Sequence, residues 1–225
     1  NKDQEIVDYL QSLRKLGQGA MYPILLSGME KFTEHNDIKK LVINSTKLFF
    51  RAKTVCSRNF SDLEKLVDEI CKSIRGDKEI TVQKIQRIMY DWKQYPVDDE
   101  FKVKFKSLEL SDARAKYALS EIHYEMKGGR SSATEVLSDK AQIEHIMPQK
   151  IKNSPWEAEI KKNKGFETET EIDEYKKINL NKLGNLTLLN ALKNIKNSNK
   201  SFSDKKIVYG NSNEITMTKD LTRQP

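Results

Sequence analysis

The sequence predicts a mainly α fold, in which a helical N-terminal domain precedes a short strand–strand–helix unit embedded in further helices. Three observations predict it. Apolar residues recur at helical spacing through residues 1–126, and the stretch 127–140 (KGGRSSATEVLSDK) breaks that rhythm with two glycines and small polar residues. Two short β-like runs occur only beyond that break. The expected organisation is a helical domain over 1–126, a linker or loop over 127–140, and a second domain over 141–225.

Taken in order, Ile6, Tyr9, Leu10 and Leu13 form the first stripe, and Pro23 stands near a helix start, where a missing N–H costs little. Leu41, Ile43, Leu48, Phe49 and Phe50 form the second. Leu63, Leu66, Val67, Ile70, Cys71 and Ile74 follow i, i+3, i+4, i+7, i+8, i+11, and Ser61 with Glu64 suits a capping box before them. Ile85, Ile88, Met89 and Trp92 continue the pattern, then Tyr117, Leu119, Ile122 and Met126. These apolar side chains are read as core. Past the break, AQIEHIM (141–147) and KLGNLTLL (182–189) read as strands and NALKNIKNSNKSF (190–202) as an Asn-rich helix. A polar, Lys-rich stretch separates the strands.

A chain of 225 residues, 37% hydrophobic and 32% charged, can bury a core and is not disordered. No apolar run approaches the ~18 residues of a membrane span, and the charged start NKDQEIVDYL is no signal peptide. It has no initiator Met, which fits a processed form or a piece of something longer. Cys56 and Cys71 form no CxxC pair, so a structural zinc site is disfavoured and a reducing, cytoplasmic setting is expected. The net charge of +7 is compatible with a polyanionic partner without requiring one.

Three features can carry chemistry. In Glu144-His145-Ile146-Met147-Pro148-Gln149, a carboxylate adjoins a group that takes a proton near neutral pH. Neighbours on a strand point to opposite faces, so Glu144 and His145 converge only if the strand ends there, and Pro148 supplies an ending. Asn185, in Leu183-Gly184-Asn185-Leu186, needs hydrogen bonds in its apolar run and could orient a histidine ring. Asn190, Asn194 and Asn197 share a helix face and offer hard oxygen ligands of the kind Mg²⁺ accepts. Each alone has a plainer reading: a surface pair, a turn cap, and compositional bias. Around them, residues 182–206 hold six lysines (182, 193, 196, 200, 205, 206) against Asp204, a local excess of 6 − 1 = +5. Some of these lysines are expected on phosphates.

Jointly, the order His, Asn on a second strand, and a helical Asn nine residues on (185 to 194) resembles the HNH, or ββα-metal, nuclease finger. IEHIMPQ, Trp156, LGNLTLL, and then Asn194, Ser198, Asn199, Phe202, Lys205, Tyr209 and Ser212 resemble the C-terminal nuclease domain of GmrSD-type modification-dependent restriction enzymes. The motif-bearing stretch runs from Ile143 to Leu221. More loosely, Tyr22-Pro23 and the Arg51 that follows Leu48-Phe49-Phe50 resemble the middle region of such proteins. The family's N-terminal nucleotide-handling domain, with its Asp-Gly-Gln-Gln-Arg stretch, is absent, and the sequence stops at Thr-Arg-Gln-Pro where relatives often continue. Both fit a fragment.

The resemblance implies a metal-dependent DNA endonuclease, the effector part of a restriction or phage-defence protein. By position, His145 would be the general base and Asn185 would orient its imidazole, while Glu144 and Asn194 would hold one Mg²⁺ or Mn²⁺. Lys193, Lys196, Lys200, Lys205 and Lys206 would meet the DNA backbone, with Lys205 fitting the family pattern best. The rival readings are a DNA-binding or partner-docking module with an inactive site, and an RNase. His35 and His123 are read as ordinary surface or core residues.

Overall fold

A computed structural model of the chain describes residues 2–110, 112–129, 141–212 and 215–223. The fold is mainly α, with a two-stranded sheet among the described residues. It divides into two units, Asn1–Lys106 and Ser107–Pro225.

The first unit is built from α1 (Lys2–Lys15), α2 (Tyr22–Lys31), α3 (His35–Phe49), α4 (Phe60–Gly76), α5 (Val82–Asp91) and α6 (Asp98–Lys106). Pro23 occupies the first turn of α2, as its fixed φ favours. Helix α3 runs on into a π-helical turn over Phe50–Val55, which carries Arg51. All six apolar positions of the α4 stripe are buried. Its cap is not Ser61: Asn59 accepts the Ser61 N–H, so the helix begins earlier than the Ser61/Glu64 pair suggests. Helices α2 and α3 approach at Gly28, where any Cβ would run into the Leu41 side chain. Two arginines tie the start of α6 down. Arg58 grips both oxygens of Glu100 at 2.8 and 2.5 Å, and Arg51 donates to the Pro96 carbonyl at 2.8 Å while lying over the Phe101 ring. Sequence periodicity did not single out α6, because none of its side chains is buried.

The second unit contains α7 (Asp112–Met126), β1 (Ala141–His145), α8 (Pro155–Lys164), α9 (Glu169–Asn179), β2 (Leu186–Asn190), α10 (Ala191–Asn197), α11 (Phe202–Gly210) and α12 (Thr216–Asp220). The strands pair antiparallel, with Glu144 opposite Thr187 and His145 opposite Leu186. Helices α7, α10 and α12 pack on this hairpin. The unit boundary at 106/107 therefore differs from the break expected after residue 126. Periodicity identifies α7 as a helix but cannot say which core it serves. Of the expected linker, residues 130–140 lie outside the described residues.

Two details go beyond the periodicity of the sequence. The Lys-rich stretch between the strands folds into α8 and α9, whose apolar residues Ile160 and Ile172 join Met147 and Ile151 in a small core. Gly165, at φ 70°, ends α8, and a Thr168/Glu171 capping box starts α9. The Asn-rich helix expected over 190–202 is shorter: α10 stops at Asn197, because Ser198, at φ 39°, leaves the helical region, and α11 begins only at Phe202. Trp156 bridges this interruption, donating from Nε1 to the Lys200 carbonyl at 2.7 Å with its ring edge-on to Phe202.

The candidate active site around His145

His145 closes β1, half-buried, at the end of the hairpin. Its backbone is held on both sides. The next residue, Ile146, donates its N–H to the Asn185 carbonyl at 2.8 Å. The Asn185 side chain accepts the Met147 N–H at 2.7 Å and donates to the carbonyls of Met147 at 3.1 Å and Leu180 at 2.9 Å. Asn185 thus spends its amide on main chain, which answers why an Asn stands in this apolar run. It does not touch the imidazole as expected. Its influence on His145 passes through the backbone that follows. Beside the ring lies Asn181, whose Oδ1 is 3.4 Å from His145 Nε2. Asn181 is set by the segment before α7, where an isolated bridge joins Glu109 to Lys182 and Leu183 donates to the Leu108 carbonyl at 2.9 Å. Nothing in the sequence separated Asn181 from its many Asn neighbours.

Glu144 goes the other way. Strand alternation sends it from the His145 side toward α10 and α11, where it is 4% exposed. Its Oε1 accepts from Lys205 Nζ at 2.7 Å, Asn197 Nδ2 at 2.9 Å and the Tyr209 hydroxyl at 3.1 Å. Lys205 is fully buried and its Nζ also donates to the His145 carbonyl at 2.7 Å. Burial lowers the Lys205 pKa, and the adjacent Glu144 carboxylate works against that shift. Burial and the same carboxylate raise the Tyr209 hydroxyl far above its usual value, so it remains a donor.

The three asparagines on the helix face are accounted for individually. Asn190 caps α10 by accepting the Leu192 N–H at 3.1 Å. Asn194 donates to the Ile143 carbonyl at 3.0 Å, and Asn197 donates to Glu144. Carbonyls two residues apart on a strand face the same edge. Asn194 on α10 and Lys205 on α11 therefore cover two successive carbonyls, those of Ile143 and His145, along one edge of β1.

A divalent cation held between Glu144 and Asn194 does not fit this arrangement. The Glu144 charge is already met by a buried ammonium, and its Oε1 already serves three donors. Among the described residues, no group of three or more His, Cys, Asp and Glu is placed to hold a metal.

The lysines also divide. Lys205 is buried and cannot meet a phosphate. Lys193 donates to the Asn211 carbonyl at 2.7 Å, and Lys206 lies 4.8 Å over the Phe202 ring. Lys196 and Lys200 are exposed. Among the described residues, no helix is long and apolar enough to cross a membrane.

No curated protein matches the chain. A family described as GmrSD restriction endonucleases, C-terminal domain, matches residues 95–224, which include both strands and every residue of the His145 site. Several of the residues at which the sequence resembles that family meet in and just after β1: His145 at its end, Asn194 on its backbone, Asn185 on the two residues that follow it, and Lys205 and Tyr209 on Glu144. With more than half of its length matched, this chain belongs to the GmrSD restriction endonuclease C-terminal domain family.

Proposed function

We propose that the chain hydrolyses phosphodiester bonds in DNA by HNH-type chemistry, with His145 as general base, as the effector part of a restriction or phage-defence protein. The observation that carries the reading is a histidine at a strand end, its ring accessible while its backbone is tied down on both sides. A base so held keeps its ring where water and a phosphate can reach it. His145 would take a proton from water as the water oxygen attacks phosphorus and the bond to the 3′ oxygen breaks. The exposed Lys196 and Lys200, on and just beyond α10, support a backbone-tracking contact with the duplex. Asn194 remains as one hard oxygen donor near the strand for the Mg²⁺ or Mn²⁺ that the resemblance implies. Glu144 does not, so no step is assigned to the cation.

The test is plasmid nicking by the purified chain, with and without Mg²⁺, for wild type and His145→Ala. The expected result is a rate loss of about 10²–10⁴-fold in the variant, with melting temperature and DNA affinity preserved. Cleavage by His145→Ala at the wild-type rate would remove the base. Cleavage of RNA in preference to DNA would reassign the substrate, and binding without cleavage would favour a docking module.

A further inference from the structure

We infer that Glu144 is the buried counter-charge of Lys205 rather than a metal ligand, and that the Glu144–Lys205 pair, completed by Tyr209 and Asn197, positions His145 through its main-chain carbonyl. The inference rests on His145 being the general base.

Geometry assigns Lys205 two simultaneous contacts, both at 2.7 Å: the carboxylate of the residue before His145 and the carbonyl of His145 itself. An ammonium has three protons to place, and inside protein each must meet an acceptor. The carboxylate is what makes the ammonium tolerable there, and the ammonium is what holds the strand end. Tyr209 OH and Asn197 Nδ2 converge on the same oxygen, so Glu144 has little freedom to swing toward the His145 side. On the other flank, Asn185 fixes Ile146 and Met147. His145 thus sits between two clamps that come from α11 and from the turn before β2. Rotation of its peptide would break a charge-assisted bond in a fully buried site.

The strand explains why the roles separate. Glu144 and His145 are adjacent in sequence, but adjacency in β structure means opposite faces. The carboxylate therefore reaches the interior and the imidazole the accessible side. A positioning residue placed one step before the base can act on it only through the backbone, and Lys205 supplies that connection.

The experiment compares Glu144→Gln, Lys205→Met, the double variant and Tyr209→Phe, using thermal melting and the ring resonances of the three histidines, with His145 assigned by His145→Ala. Either charge-removing single variant should lower the melting temperature by about 10 °C or more, since each leaves an unpaired charge buried. The double variant should recover much of that loss, because it leaves none. Tyr209→Phe should stay folded, displace the His145 resonance without moving that of His35, and reduce kcat more than KM. An unmoved His145 resonance with unchanged kcat in Tyr209→Phe would overturn the positioning role, even if Lys205→Met does not fold. Additive losses in the double variant would overturn the pairing. Mn²⁺ broadening of the His145 resonance that is present in wild type and lost in Glu144→Gln would restore Glu144 as a ligand and overturn the inference. The melting and resonance measurements need no cleavage, so failure of the nuclease reading is separable from failure of this one.

Discussion

The two units bury different kinds of side chain. Among the described residues, the first buries Gln18, Ser27, Ser45 and Thr46 as its polar complement, none of them charged, under a continuous apolar core from Tyr9 to Met89. The second buries Ser120, His123, Glu144, Thr187, Asn197, Lys205, Ser212 and Thr218 around a pair of five-residue strands. A buried polar group contributes to folding only when its partners are in place, whereas apolar burial is tolerant of detail. The contrast teaches that the first unit is organised for cohesion. In the second, Glu144, Asn197 and Lys205 make directional contacts that hold one strand end, as expected where a side chain must be aimed.

The largest expected effect that tests this contrast is a cavity in the first unit. Ile70 is fully buried on α4, so Ile70→Ala should cost about 2–5 kcal/mol. At temperatures where the variant is folded, cleavage at saturating DNA should match wild type. Denaturant titration together with a nicking assay checks both, and a lost rate in the folded variant would mean that the first unit shapes the site. Next comes DNA binding. Lys196→Gln with Lys200→Gln should flatten the log–log salt dependence by ~0.9 for each lost phosphate contact, alike for two duplexes of unrelated sequence. Equal slopes for variant and wild type would make these lysines a solvated face. Lys193 and Lys206, engaged with Asn211 and Phe202, should contribute less.

A pH effect separates the units further. His123 on α7 is fully buried, and its ring nitrogens find no partner among the described residues. Burial, with a smaller contribution from Lys127, pushes its pKa below the model-peptide value of 6.5. The folded state therefore favours the neutral ring. Its stabilising contribution is complete above the unfolded pKa and is lost as pH falls toward the folded value. One group exchanging at most one proton limits the slope to about 1.4 kcal/mol per pH unit. Denaturation followed downward from roughly pH 8 should show no contribution of His123 above about pH 6.5 and this slope below it, and His123→Phe should remove the slope. The smallest expected effect is at Ser198, whose φ of 39° and ψ of −126° suit glycine. Ser198→Gly should stabilise by about 0.5–1 kcal/mol, read as a small rise in melting temperature. A fall would mean that the serine side chain holds the turn between α10 and α11.

What the sequence determined by itself was whatever depends on spacing within one element. The α4 stripe is buried at every predicted position, and the strand–strand–helix order is present, although Asn185 stands in the turn just before β2 rather than on it. Periodicity is a local property, so it survives the absence of coordinates. Helices α8 and α9 escaped notice because each buries a single apolar residue, too few to make a stripe. Only the tertiary structure decided which side chains meet. Strand alternation says that Glu144 and His145 part company, but not what fills either side. That is set by Asn197, Lys205 and Tyr209, which lie 53, 61 and 65 residues further along the chain. The same packing turned the lysine that best fits a family pattern from a surface cation into a buried one. A lysine in sequence carries the same charge in either place. Whether it meets a phosphate or a carboxylate depends on the partner that folding brings to it.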